Sequence, residues 1–455
     1  MTSATSQTVS FREAFWTWCR VAALSFGGPA GQIAVMHRIL VEEKKWISED
    51  RFLHALNYCM LLPGPEAQQL ATYIGWLLHR TKGGLMAGIL FILPGAISIL
   101  ALSILYAEYH DVRFVQAVFF GLKPAIIAIV FDAVLRISKR VLKNRTMIAI
   151  AVVSFVAIFF FGVPFPVIVI SAGLAGFLGG RIAPEKFVVI KGHGKKNESS
   201  DHDAFEQQPE VALHFVQPSW FRSLRICCVF LPLWFAPILA VRYFVGDSSV
   251  FYKEGIFFSE TAVVTFGGAY SVLAYIGQQA VEQYKWLQPG EMMDGLGMAE
   301  TTPGPLIMVV QFVGFLGAYR NPGTLSPILA GILGSLMTTW TTFIPCFFWI
   351  FLGAPSVERL RGNRLLTAAL SSITAAVVGV VLNLAIWFSL HTLFSSVSVQ
   401  NYAGLRLFVP DWTSVELSAF FVAGIAFLMT FYWRPGMATT LAVCCVLGAM
   451  LYFLR

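Results

Sequence analysis

Three stretches of the chain, 84–106, 326–352 and 365–390, carry no charged residue. Each exceeds the roughly 20 apolar residues that take a helix across a bilayer core, so each predicts a membrane-spanning helix. Further spans are predicted at 114–135, 147–162, 164–180 and 224–245, with Gly162-Val163-Pro164 as a turn. Other apolar runs are too short to cross. Residues 52–62 make roughly 16 Å of helix at about 1.5 Å per residue, and Pro63-Gly64-Pro65 then interrupts the run before 66–78. Likewise 292–302 meets Pro303-Gly304-Pro305 before 306–319, and Phe26-Gly27-Gly28-Pro29 cuts the run 15–36. Proline removes a backbone donor, and glycine opens backbone conformations closed to other residues. These segments therefore predict helical hairpins or discontinuous helices whose tips lie within the membrane.

Composition agrees. Of 455 residues, 57% are hydrophobic and 13% charged, against about 25% charged in soluble globular chains. Lipid is the expected solvent, and the fold class is an all-α polytopic membrane protein. The first ten residues lack the basic-apolar-small order of a cleavable signal, so no processing is expected. The seven cysteines sit mostly in apolar stretches without a Cys-x-x-Cys pair and read as packing residues. A net charge of +7 is scattered over short loops, which suits the positive-inside rule better than a nucleic-acid partner. No cofactor and no metal is implied.

The interrupted segments repeat. Phe26-Gly27-Gly28, Lys45-Trp46 and Pro63-Gly64-Pro65 recur 240 positions later as Phe266-Gly267-Gly268, Lys285-Trp286 and Pro303-Gly304-Pro305. Three matches in one register predict two homologous halves, 1–183 and 251–455. A polar linker, 184–222, and a single span, 223–250, lie between them. Residues 136–145 hold Arg136, Lys139, Arg140, Lys143 and Arg145 and no acid, which places them in the cytoplasm. Counting spans from there returns the linker to the cytoplasm, and the one extra span then inverts the second half. Arg359, Arg361 and Arg364 against Glu358 fit a cytoplasmic loop in that inverted repeat. A parallel duplication is the rival.

Irregular backbone at membrane depth is tolerated where it is buried or lines a wet cavity. Paired Gly/Pro interruptions in two halves point to a transporter binding site. Helices starting after Gly28 and after Pro65 would aim free N–H groups and a positive dipole end at the break, which suits an anion. The candidate substrate residues are Gly27, Gly28, Pro29, Gln32, Pro63, Gly64, Pro65 and Gln69 in the first half. In the second they are Gly267, Gly268, Tyr270, Ser271, Thr301, Thr302, Pro303, Gly304 and Pro305. The alternative is that the glycines serve only close helix packing. Lys123, within 114–135, is a candidate point charge for an oxyanion, or else snorkels or pairs with Asp132 through a bridge. A carboxylate beside an anion repels it unless protonated, so Glu66, Glu300 and Asp132 are candidates for carrying a proton. Glu66 alternatively stabilises its own helix dipole as a first-turn acid. Trp46 and Trp286 are expected as interface anchors. No Gly-x-x-x-x-Gly-Lys-Ser/Thr segment points to ATP, and no hydrolase motif points to an enzyme.

At these residues the sequence resembles the chromate ion transporter family in its long, two-domain form. The first half matches at Ser25-Phe26-Gly27-Gly28-Pro29 with Gln32-Ile33-Ala34, at Lys45-Trp46, and at Leu61-Leu62-Pro63-Gly64-Pro65 with Gln69-Leu70-Ala71. Phe91-Ile92-Leu93-Pro94-Gly95 and Gly121-Leu122-Lys123-Pro124-Ala125 also match, as do Thr265-Phe266-Gly267-Gly268 and Thr302-Pro303-Gly304-Pro305. The resemblance covers roughly 12–180 and 255–390. It implies export of chromate from the cytoplasm across the inner or plasma membrane, giving chromate resistance, with sulfate as a related anion. The sequence departs from the family pattern at Glu66, Ala269 and Ile307-Met308. Sulfate uptake and an anion channel of the same fold remain the alternatives, and a homodimer is left open.

Overall fold

A computed structural model describes residues 9–188, 219–266, 268–356, 363–402 and 404–454. Most of the predicted linker, Glu358, Arg359, Arg361, Gly267 and the side chain of Ser271 lie outside the described residues. The described chain is almost wholly helical. In order, the helices are α1 (Phe11–Leu24), α2 (Gly28–His37), α3 (Glu49–Cys59), α4 (Glu66–Tyr109), α5 (Arg113–Val141), α6 (Arg145–Phe161), α7 (Phe165–Ile182) and the short α8 (Pro184–Phe187). Then come α9 (Trp220–Phe244), α10 (Val250–Val264), α11 (Ala269–Gln278), α12 (Glu291–Thr301), α13 (Val309–Arg320), α14 (Pro327–Gly353), α15 (Arg364–Leu393), α16 (Leu417–Leu428) and α17 (Met437–Leu454). Among the described residues, seven helices are long and apolar enough to cross a membrane: α4, α5, α7, α9, α14, α15 and α17. The protein is a multi-pass membrane protein.

The predicted interruptions fall where glycine and proline placed them. Helix α1 stops before Ser25 and α2 begins at Gly28, while α3 ends at Cys59 and α4 begins at Glu66. In the second half α10 stops before Thr265, α11 begins at Ala269, and α12 ends at Thr301 ahead of the next break. Backbone detail recurs with them. A π-helical turn follows both α2 (Arg38–Glu43) and α11 (Gln279–Gln283). Lys45 and Lys285 then take positive φ, 53° and 54°, a conformation few non-glycine residues adopt. This turns the chain so that Trp46 and Trp286 point inward. Both indoles are buried, at 5% and 3% exposure, so they are core wedges and not the interface anchors expected.

Helix α4 contains a reversal at the polar run that separates the predicted segments 66–78 and 84–106. At His79 and Arg80 the backbone leaves helical geometry, with Arg80 at φ 52°. The arms 66–78 and 81–109 then pack through Gly75 and Gly83, and a side chain on Gly75 would meet the Gly83 carbonyl at 2.5 Å. Helices α13 and α14 form the equivalent pair, with Gly314 against the Gly334 carbonyl. Close backbone approach through small residues is how helices associate where lipid supplies no hydrophobic drive.

The two stretches of chain that carry the recurring motifs interlock. Helix α15 packs on α5, α6 and α7, and α17 packs on α5. Gly379 faces the Ala151 and Phe155 backbone, and Gly121 faces Cys444. Polar termini group at two ends of the bundle. At one, the Lys44 ammonium reaches Glu13 at 2.8 Å, His79 meets the Val9 carbonyl, and Arg222 donates to the Phe351 carbonyl. At the other, Tyr319 donates to Glu108 and Arg320 to the Trp286 carbonyl. A small antiparallel hairpin, β1 (Val397–Tyr402) and β2 (Leu405–Pro410), departs from the all-α expectation. It lies at the second end, where Arg406 pairs with Glu282 at 2.6 Å.

Candidate functional site

Each broken tip is seated by the other half. Proline has no N–H, so Gly64 holds the single backbone donor of Pro63-Gly64-Pro65, and Gly304 that of Pro303-Gly304-Pro305. Gly64 donates to the Thr265 carbonyl at 2.8 Å, and Gly304 donates to the Ser25 carbonyl at 2.9 Å. Thr265 and Ser25 follow the last residues of α10 and α1, where the helix breaks leave carbonyls short of partners. Backbone polar groups away from water must be satisfied internally, and here two breaks satisfy each other. Donors and acceptors both correspond at a spacing of 240 positions.

Side chains reinforce the seating. The Gln32 amide, 1% exposed, donates to the Gly304 carbonyl at 2.6 Å. The Gln69 amide, fully buried, donates to the Pro63 carbonyl at 2.7 Å. Gly304, at φ +108°, lies on the backbone of Gly95, and Gly64, at φ +129°, lies beside Gln69 and Cys346. The structure therefore brings together Gly28, Gln32, Tyr270, Glu300 and Gly304 around the second tip, with Pro63, Gly64 and Gln69 at the first. Thr301 and Thr302 donate their hydroxyls back to carbonyls of α12, and Thr301 is exposed.

Each tip has a carboxylate with an arginine of α5 within electrostatic reach. Glu66 is the first residue of α4 and lies within electrostatic reach of Arg140. Arg140 also touches the Met60 sulfur at 2.9 Å. Glu300 accepts a hydrogen bond from the Tyr270 hydroxyl and lies within electrostatic reach of Arg136. Asp132, Arg136 and Arg140 are spaced four apart on α5, so they share one face, and Asp132 pairs with Arg136 at 2.9 Å. In the sequence these arginines serve only to orient the chain. Their spacing from Asp132 is the signal that could have placed them at the site.

Lys123 stands elsewhere. It pairs with Asp294 of α12 at 3.3 Å, and Tyr106 donates to the same carboxylate at 2.9 Å. Asp294 lies seven residues before Thr301, about 10 Å along the helix from the tip. Nearby Arg320 forms two hydrogen bonds of 2.7 Å with Glu291. The carboxylate that Lys123 meets is Asp294, not Asp132. Among the described residues no cluster of His, Cys, Asp and Glu is arranged to hold a metal ion.

Relatives can be set beside this geometry. A family model described as chromate transporter matches residues 12–177 and 253–450. A chromate transport protein of Pseudomonas aeruginosa is 29% identical over 84% of this chain and 81% of its own length. One of Cupriavidus metallidurans is 26% identical over 83% of this chain and 82% of its own. An uncharacterised transporter of Methanocaldococcus jannaschii is 24% identical over 83% and 84%. No solved structure matches. Both stretches of the family model hold one Gly-Gly break and one Pro-Gly-Pro tip, and the chain belongs to the chromate transporter family.

Proposed function

We propose that this protein is a secondary transporter that exports chromate, a tetrahedral dianion, from the cytoplasm across the cell's inner or plasma membrane, conferring chromate resistance. The observation that carries the reading is the reciprocal seating of the two Pro-Gly-Pro tips, with Arg136 and Arg140 beside them. The halves 1–183 and 251–455 act as an inverted repeat turned over by α9, with the linker in the cytoplasm. This is supported by the opposite ends of the bundle that the Trp46 and Trp286 turns share with other chain termini. Midplane sites between inverted repeats suit alternating access, because one half can rock against the other around a fixed site.

Arg136 and Arg140 draw the anion to the tips, and the N-termini of α2 and α4 receive its oxygens. The membrane potential helps expel a dianion from a negative-inside cell, at about 2.3 kcal/mol per charge per 100 mV. Glu66, Glu300 and Asp132 are the groups able to move a proton against the anion.

The test is flux in proteoliposomes of known orientation, with voltage and pH gradient imposed separately. Saturable chromate movement driven by either gradient is expected. Non-saturating flux would indicate a channel, faster sulfate than chromate would reassign the cargo, and no chromate movement under any gradient would sink the reading. In the same assay Arg136→Gln and Arg140→Gln should each raise KM about fivefold, the worth of a partly exposed charge of roughly 1 kcal/mol. Lysine at either position should restore most of it. An unchanged KM in both variants would remove the arginines from the anion's path.

A further inference from the structure

The start of α2 is an anion seat with an acid already beside it. The helix is ten residues long, and its first turn offers the N–H groups of Gly28, Ala30 and Gly31, with none from Pro29. No side chain caps it, and Gly27 and Gly28 enter it at φ 84° and 70°. In place of a cap stands Glu300, reaching across from the other half. Its Oε1 accepts from the Tyr270 hydroxyl. Its Oε2 is buried, has no hydrogen-bond partner among the described residues, and lies 3.8 Å from where a Gly28 Cβ would stand. The whole residue is 4% exposed. Around it stand Tyr270 of α11 and Arg136 and Asp132 of α5, while the first turn of α2 contributes no charged side chain.

We propose that the Glu300 carboxylate is a tethered competitor beside the oxyanion seat at the N-terminus of α2, and that the transported anion must hold the seat against it. The inference rests on the transport reading above and adds a competition to it. A carboxylate and a tetrahedral oxyanion present the same chemistry to a helix N-terminus, namely negative oxygens for free N–H groups. They cannot hold one set of donors together. Gly28, at φ +70°, brings the start of α2 within ordinary contact distance of the Glu300 carboxylate and the Tyr270 hydroxyl. Tyr270 holds one oxygen, which sets the carboxylate near the seat without filling its hydrogen bonds. The competition keeps affinity moderate, and return of the carboxylate hastens release on the far side.

The experiment is equilibrium binding of radiolabelled sulfate, and of chromate by its absorbance, to full-length protein in nanodiscs. Glu300→Gln keeps the shape and removes the charge. It should bind both anions about tenfold more tightly, the order of a helix-terminus charge interaction, while its maximal flux falls. Tyr270→Phe frees the carboxylate from its anchor and should tighten binding by a smaller factor. Glu300→Asp, whose shorter arm withdraws the charge, should lie between wild type and Glu300→Gln. Unchanged or weaker binding in both Glu300→Gln and Tyr270→Phe overturns the proposal, as does a failure of every variant to bind either anion. Wild-type protein that moves no chromate, with tighter binding in Glu300→Gln, would instead overturn the transport reading and leave the seat in place.

Discussion

Replacing Gly304 by leucine should reduce anion flux by at least about 100-fold while the protein still reaches the membrane. Two costs combine. The residue sits at φ +108°, a sparsely populated backbone region where a non-glycine residue costs about 1–3 kcal/mol. A Cβ there would also stand 2.8 Å from the Gly95 Cα and 3.0 Å from its nitrogen, which is backbone and cannot swing aside. Moving the tip away breaks the Gly304 bond to Ser25 and the Gln32 bond to Gly304, and unsatisfied groups at that depth cost several kcal/mol. Gly64→Leu should act alike. The alanine variants separate the two tips. At Gly64 the new methyl meets the Gln69 amide at 2.7 Å and the Cys346 sulfur at 2.9 Å, and side chains can give way. Gly64→Ala should therefore keep more flux than Gly304→Ala, measured in proteoliposomes at matched protein content. Normal transport by both leucine variants would reduce the breaks to packing devices.

The breaks are legible in the sequence because glycine and proline act on their own backbone. Pro-Gly-Pro stops a helix whatever surrounds it, so residue identity alone places the tips and both Gly-Gly interruptions. Features that depend on distant parts of the chain are not legible in this way. The polar run His79-Arg80-Thr81-Lys82 separates the segments 66–78 and 84–106, but the tightness of the reversal is not legible there, because neither His79 nor Arg80 is glycine and the turn is held by packing of Gly75 on Gly83. Trp46 and Trp286 carry the usual mark of interface residues, a neighbouring lysine, but the positive φ at that lysine turns each ring inward. Glu300 draws suspicion from its place beside a break. Tyr270 is a candidate on its own account, but its pairing with Glu300 thirty positions away is unannounced, and the approach of Glu300 to Gly28 crosses between the two stretches of chain. Asp294 gives no local sign either, because its meaning lies in Lys123 and Tyr106 on other helices.

That last pair yields the other large effect. Lys123→Met should destabilise the protein by about 3–5 kcal/mol, the cost of leaving a buried charge without its partner. Asp294 is 1% exposed at its side chain, one of its oxygens has no hydrogen-bond partner among the described residues, and without Lys123 it would keep only Tyr106. Asp294→Asn should cost less. Lys123 is 30% exposed at its side chain, so its ammonium can turn toward water on a flexible stem. The double variant Lys123→Met with Asp294→Asn removes both charges and should recover most of the loss, because a buried pair contributes little net stability even where its halves cannot be separated. Thermal melting in detergent, followed by tryptophan fluorescence, orders the three variants. Flux then decides the role of the lysine. With the tips about 10 Å away along α12, the double variant should still carry anion. A double variant that melts like wild type but moves nothing would return Lys123 to the substrate's path. A single Lys123→Met variant as stable as wild type would mean that Asp294 needs no counter-charge at all.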